Sequence, residues 1–388
     1  MKRILFIVIL LALFLTACGG AKPDEGVDEM TAEPIPETKI LAYVPKIGWG
    51  SMPGRGPTDY PLPGCLGTVL AFISSNGIPG AEAIDNANRE LMNIMGISYA
   101  AIWAADGTQD KWAAIELTDI NDHFVMIDRA LRYFGRGYNC IEDTGGTEKS
   151  GEIKAAVIES VNLGNPVLAY NICGIPDYCV ITGYENFGDR LVGWAYNEKF
   201  AEDFYPNGMF AAKFSLSGDP DHNSFAVIIG GPDGSSLSDG EIAAYAAETM
   251  ERGEPQNKFL GGYLAGIPAL ERFKADLTEN TDEMFAPENS ELMRLFILNL
   301  AEPRAYITAL TNIFREKYSE SEEVLSILAD MEDVSVSTHE TCWRMWAIQN
   351  DAGMTAEQKR DGLAELMQVC IDGDIKLLES LKLLKNSI

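Results

Sequence analysis

The chain has 388 residues, 46% of them hydrophobic and 23% charged, which excludes a disordered or collagen-like polymer and leaves a folded protein with room for two domains. Its 58 acidic side chains against 30 basic ones give a formal charge of -28. That sign excludes nucleic acid as a partner and disfavours lying flat on an anionic membrane, because both would repel it.

The chain opens with Lys2 and Arg3 and then an unbroken apolar run over residues 4–15, too short to span a bilayer. The run closes on Leu15-Thr16-Ala17-Cys18, which resembles the lipobox of exported bacterial lipoproteins. The resemblance implies that residues 1–17 are a signal peptide and that Cys18 becomes the first residue. Cys18 then carries the lipid and anchors the protein to membrane lipid on the extracytoplasmic face of the cell membrane. Gly19 and Gly20 follow, so no acidic residue signals inner-membrane retention. Residues 18–39, rich in Gly, Pro, Asp, Glu and Thr, read as a disordered acidic tether.

Folding begins near Ile40. The Gly/Pro-rich stretch 45–64, with Trp49, Arg55 and Tyr60, reads as a loop. Beyond it Leu66, Val69, Leu70 and Ile73 recur at helical spacing as far as residue 76. Gly77 stops the helix, which puts Cys65 at its N-terminus. Helices are predicted over 82–95, 121–134 and 151–163, the last two closed by Gly135 and Gly164. Strands are predicted over 97–104, 166–172, 178–184, 191–196 and 225–229, with a hairpin turn at 186–189. After the turn signals at 230–234 only helical patterns follow, among them 241–252, 268–277, 290–318 broken at Pro303, and 356–384 interrupted at Gly373. The fold class expected is therefore α+β: a mixed domain over 40–235 followed by an all-helical domain over 236–388.

Apart from Cys18 there are six cysteines, Cys65, Cys140, Cys173, Cys179, Cys342 and Cys370. Cys173 and Cys179 are close enough in sequence to pair, but a chain of this size needs no staples and buried thiols are the expectation. With no paired C-x-x-C motifs and only His123, His222 and His339, no metal site is expected. The glycine run at 230–234 reads as a turn, because Ser235 to Ser238 delay the helix that a phosphate cradle requires; no cofactor is expected. Trp49, Tyr60, Trp194 and Tyr196 are candidates to line a groove beside Cys65, and Trp343 with Trp346 reads as a helix-packing pair.

A cysteine opening a helix has a thiolate stabilised by the dipole and by free N–H groups that also serve an oxyanion. Three blocks carry a wider likeness: Gly64-Cys65-Leu66-Gly67-Thr68-Val69, Gly164-Asn165-Pro166-Val167, and Pro176-Asp177-Tyr178-Cys179-Val180-Ile181-Thr182-Gly183-Tyr184 followed by Gly188 to Trp194. Together they resemble the papain-like fold of bacteriocin-processing peptidase domains, and more nearly the butirosin-biosynthesis protein H N-terminal domain, a group that also carries a helical C-terminal region. The resemblance implies a papain-like α+β domain with Cys65 as nucleophile and an acidic or amide partner near Asn197. The sequence departs from it at the base. Asp177 stands where the peptidases place histidine, Gly64 stands where the butirosin-type proteins do, and the nearest residue to the usual oxyanion-hole glutamine is Asp59. An aspartate is too weak a base to activate a thiol near neutral pH. His222, on a loop after the strands, is the first candidate to replace it and His123 the second, while His339 belongs to the helical region.

Two functions follow. One is a degenerate papain-like module on the cell surface that binds a peptide or small molecule in the cleft near Cys65. The other is a thiol-dependent acyltransferase or amidase/peptidase using Cys65 as nucleophile. A transporter's solute receptor is the third class, but its two similar α/β lobes are not evident.

Overall fold

A computed structural model describes residues 34–47, 60–105, 122–144, 148–196, 203–217, 223–256, 262–279, 284–286 and 289–388. The sheet half runs β1 (Lys39–Ile40), α1 (Pro61–Ser74), α2 (Ala81–Ile94), β2 (Ile102–Ala104), α3 (His123–Tyr133), β3 (Arg136–Asp143), α4 (Ser150–Asn162), β4 (Val167–Ile172), β5 (Ile175–Glu185), β6 (Arg190–Ala195), β7 (Asp203–Phe204), β8 (Phe210–Lys213) and β9 (Ser224–Pro232). The helical half holds α5 (Asp239–Glu251), β10 (Tyr263–Ala265), α6 (Ile267–Glu279), α7 (Ser290–Ala305), α8 (Ile307–Lys317), α9 (Glu322–Asn350) and α10 (Ala356–Ser387). The architecture is thus mixed α and β with a helical C-terminal region.

Alternation along β5 sets the plan of the sheet. Tyr178 and Val180 join the core under α1, whereas Cys179 and Ile181 join the core under α4. The strand order is β3-β9-β4-β5-β6-β8-β7, antiparallel at every pairing, with β1 added beside the far end of β5. The turn expected at 186–189 does join β5 to β6, pairing Glu185 with Arg190. At the entry to the sheet, Lys39 lies in β1 and the Glu37 carbonyl accepts the Phe187 N–H at 2.9 Å, so the chain is already paired before residue 40.

Several elements differ from expectation. The segment expected as one strand over 97–104 is a 3-10 turn, Ile97–Tyr99, and then the short β2, which pairs with β10 from the helical half. Pro303 sits inside the last turn of α7 rather than ending it; the break comes at Tyr306. Gly373 does not interrupt α10 at all: a Cβ there would lie 3.0 Å from Thr338 Oγ1, so the glycine lets α9 and α10 approach.

Residues 37–388 form one compact unit, and the change of secondary structure near residue 236 coincides with no gap in packing. Trp103 on β2 packs edge-on against Phe273 and Phe296 and donates its indole N–H to Asp276 at 2.7 Å. Arg304, fully buried on α7, pairs with Asp374 on α10 at 2.6 Å and also donates to the Ser98 and Ala100 carbonyls. Among the described residues no helix is long and apolar enough to cross a membrane.

Candidate functional site

Tyr60 is extended and Pro61 takes the first helical position, where its fixed φ suits the turn and its missing N–H costs nothing. The helix therefore starts at Pro61, four residues before Cys65. This corrects the expectation that Cys65 opens it. Pro61 and Pro63 have no N–H, and the Gly64 N–H donates to the Tyr60 carbonyl at 3.0 Å. The first turn thus offers little of the bare donor array that would hold a thiolate or an oxyanion.

Helix α1 is buried continuously from Leu62 to Phe72, and Cys65 within it is fully buried. Burial pushes its thiol well above the usual range, and the nearby Cys179 and Asp177 push it further the same way. Cys179, itself buried, is raised by burial and then by Cys173 and Asp177. Asp177 is buried on β5, where its carboxylate accepts the Tyr178 N–H at 2.6 Å. The structure thus brings Cys65 and Asp177 into one neighbourhood, whose electrostatics favour the neutral thiol.

Gly64 and Gly67 make two close approaches on one side of α1. A Cβ at Gly64 would stand 1.9 Å from the Tyr196 hydroxyl, and one at Gly67 would stand 2.0 Å from Asn88 Oδ1. The space that a side chain directly before Cys65 would need is filled by Tyr196.

His123, the second candidate base, stands in the first turn of α3 as its helical pattern predicts. Asp122 caps α3 by accepting from the Phe124 and Val125 N–H groups, which leaves His123 at the first helical position without a capping duty. Its ring lies 5.5 Å from Tyr170 and 5.6 Å from Tyr178, next in sequence to Asp177, and Tyr170 stacks on Phe225. His339, by contrast, is on α9 in the helical half. Asn197, His222, Asp59, Trp49, Arg55 and Cys18 lie outside the described residues.

Neither a protein-family model nor a curated protein matches this chain.

Tyr60, Trp194 and Tyr196, candidates either for a groove lining or for ordinary core packing, are buried in the core under α1; Trp194 donates to the Val44 carbonyl at 3.1 Å. Register separates Cys173 from Cys179. Cys179 faces Ala169, while Cys173 sits at the hairpin tip beyond the Ile172 and Ile175 pair. Both cysteines are buried in the core under α4 as free thiols. Among the described residues no three His, Cys, Asp or Glu side chains converge as metal ligands.

Proposed function

We propose that this chain is a lipid-anchored extracytoplasmic protein whose sheet half has a papain-like fold without working thiol chemistry, and that it serves as a binding module for a peptide or small molecule. The observation that carries the absence of thiol chemistry is Cys65, fully buried on α1, where burial pushes its thiol well above the usual range. A nucleophile needs its thiolate and a base within hydrogen-bond reach. Two further features support the reading: Asp177 in place of the expected imidazole, and the Tyr196 hydroxyl where a residue before Cys65 would extend. The anchor rests on the Cys18 motif.

The test compares the full chain with Cys65→Ala on peptide-amide and thioester substrates. Equal, background-level turnover supports a sheet half without thiol chemistry. Turnover by the parent chain that Cys65→Ala abolishes overturns it. For the anchor, Cys18→Ser is expected to move the protein from the membrane to the soluble fraction.

The second reading, a thiol-dependent acyltransferase or amidase, has one observation in its favour: His123 stands in ring contact with Tyr178. It requires that His123→Ala and Cys65→Ala each abolish turnover.

A further inference from the structure

The helical half carries a second feature, unconnected with Cys65. Helices α9 and α10 form an antiparallel pair joined by residues 351–355, and each contributes a buried stripe to the seam between them. Two glycines on α10 fix the register. A Cβ at Gly373 would lie 3.0 Å from Thr338 Oγ1, and one at Gly362 would lie 2.9 Å from Ile348 Cδ1. Between those two close approaches the same register sets Cys370 opposite Cys342.

The two side chains meet there in a thiol–thiol hydrogen bond, and both residues are fully buried in one core cluster. This reverses what spacing in the sequence suggests. Cys173 and Cys179 are near each other in the chain but separated by the register of β4 and β5. Cys342 and Cys370 are far apart in the chain and brought together by the register of α9 and α10. Both are free thiols.

We propose that Cys342 and Cys370 close to a disulfide that staples α9 to α10, the free pair being its reduced form. The glycines let the two backbones approach closely, as a disulfide between two helices requires. Closure oxidises two thiols, so an acceptor is reduced; its chemical class is another disulfide, such as oxidised glutathione. The thiolate of one cysteine attacks an acceptor sulfur, which forms a mixed disulfide and releases the first acceptor thiol with the proton. The second thiolate attacks the bonded protein sulfur, the mixed S–S bond breaks, and the other acceptor thiol leaves with the second proton.

Exchange needs a thiolate, whereas burial, and then the bond to Cys370, raise the Cys342 thiol well above its usual range. The sealed helix pair is therefore unreactive, and exchange belongs to the stage at which α9 and α10 are still coming together. Their short connection brings the two thiols near each other early. Oxidation in the cell rests on the extracytoplasmic placement proposed above, but the pairing of the two sulfurs does not.

The experiment refolds the full chain, unfolded in urea with its thiols reduced, in the presence of oxidised glutathione, and maps the links by peptide mass spectrometry. Cys342 to Cys370 is expected as the dominant link. The linked chain should unfold at higher urea than the same chain refolded with a thiol reductant, because the link constrains the unfolded state. In Cys370→Ala that gap between the oxidising and reducing samples should vanish. If Cys370→Ala does not refold, the link map and the two midpoints of the parent decide the matter without it. Links dominated by other cysteines, no link within the chain, or equal midpoints for the linked and reduced parent overturn the proposal. Fractionation of Cys18→Ser tests the placement separately, so the two failures are distinguishable.

Discussion

Gly64 and Tyr196 are fitted to each other: the Tyr196 hydroxyl stands 1.9 Å from where a Cβ on Gly64 would lie. Tyr196 is buried, so its hydroxyl has little open space to swing into. Gly64→Ala is therefore expected to cost about 1–3 kcal/mol through overpacking. Adding Tyr196→Phe to the same chain should recover part of that loss by removing the clashing oxygen. Urea denaturation of the two variants measures both numbers; a neutral Gly64→Ala would mean that the contact is loose. The same contact leaves no room for a histidine directly before Cys65.

Three buried thiols, Cys65, Cys179 and Cys342, are all pushed well above the ordinary range, chiefly by burial. An unfolded thiol loses its proton near pH 8.5, so below about that pH both states are protonated and the thiols cost nothing. Above it only the unfolded state releases protons, and stability falls as pH rises towards the folded values. Each such thiol adds about 1.4 kcal/mol of loss per pH unit. The denaturation midpoint should decline between about pH 8.5 and 9.5, and Cys65→Ala should make the decline shallower. An unchanged slope in that variant would show that Cys65 ionises in the folded protein as it does in the unfolded one.

Arg304 and Asp374 are an ion pair sealed between α7 and α10, with the guanidinium also holding carbonyls before β2. Removing one partner strands the other charge. Arg304→Met and Asp374→Asn are each expected to cost about 3–5 kcal/mol. The double variant Arg304→Met/Asp374→Asn should cost clearly less than their sum. Additive losses in the double-mutant cycle would argue against coupling.

The helices Ala81–Ile94, His123–Tyr133 and Ser150–Asn162 were readable to within two residues, because glycines with positive φ, Gly96, Gly135 and Gly164, follow apolar periodicity. Strand β3 was not readable. Its Arg136, Gly137 and Asn139 show no apolar alternation, because it is an edge strand with one partner, β9. The β2 and β10 pairing joins distant segments that no local pattern links.

At the site, the likeness to a peptidase led to Cys65 and Asp177, which the fold does bring near each other, but likeness carries no information about burial. A signal for burial was present. Leu66, Val69, Leu70, Ala71 and Phe72 leave almost no polar side on α1, and a helix that is apolar all round lies inside. The start of α1 was obscured because Pro61-Leu62-Pro63-Gly64 reads as a loop, although proline is at home in a first turn. Trp343 and Trp346 read as a packing pair from their spacing, and their rings do meet edge-on; the exposure of Trp343 and its bond to His339 were not legible from that spacing.

Alkylation of the folded protein by iodoacetamide, mapped to Cys65 by peptide mass spectrometry across neutral to mildly alkaline pH, probes the central claim most directly. A sealed neutral thiol predicts no modification of Cys65 until denaturant unfolds the chain. Rapid labelling of the native protein with an apparent pKa below about 7, the signature of an activated thiolate, would contradict it and favour the thiol enzyme.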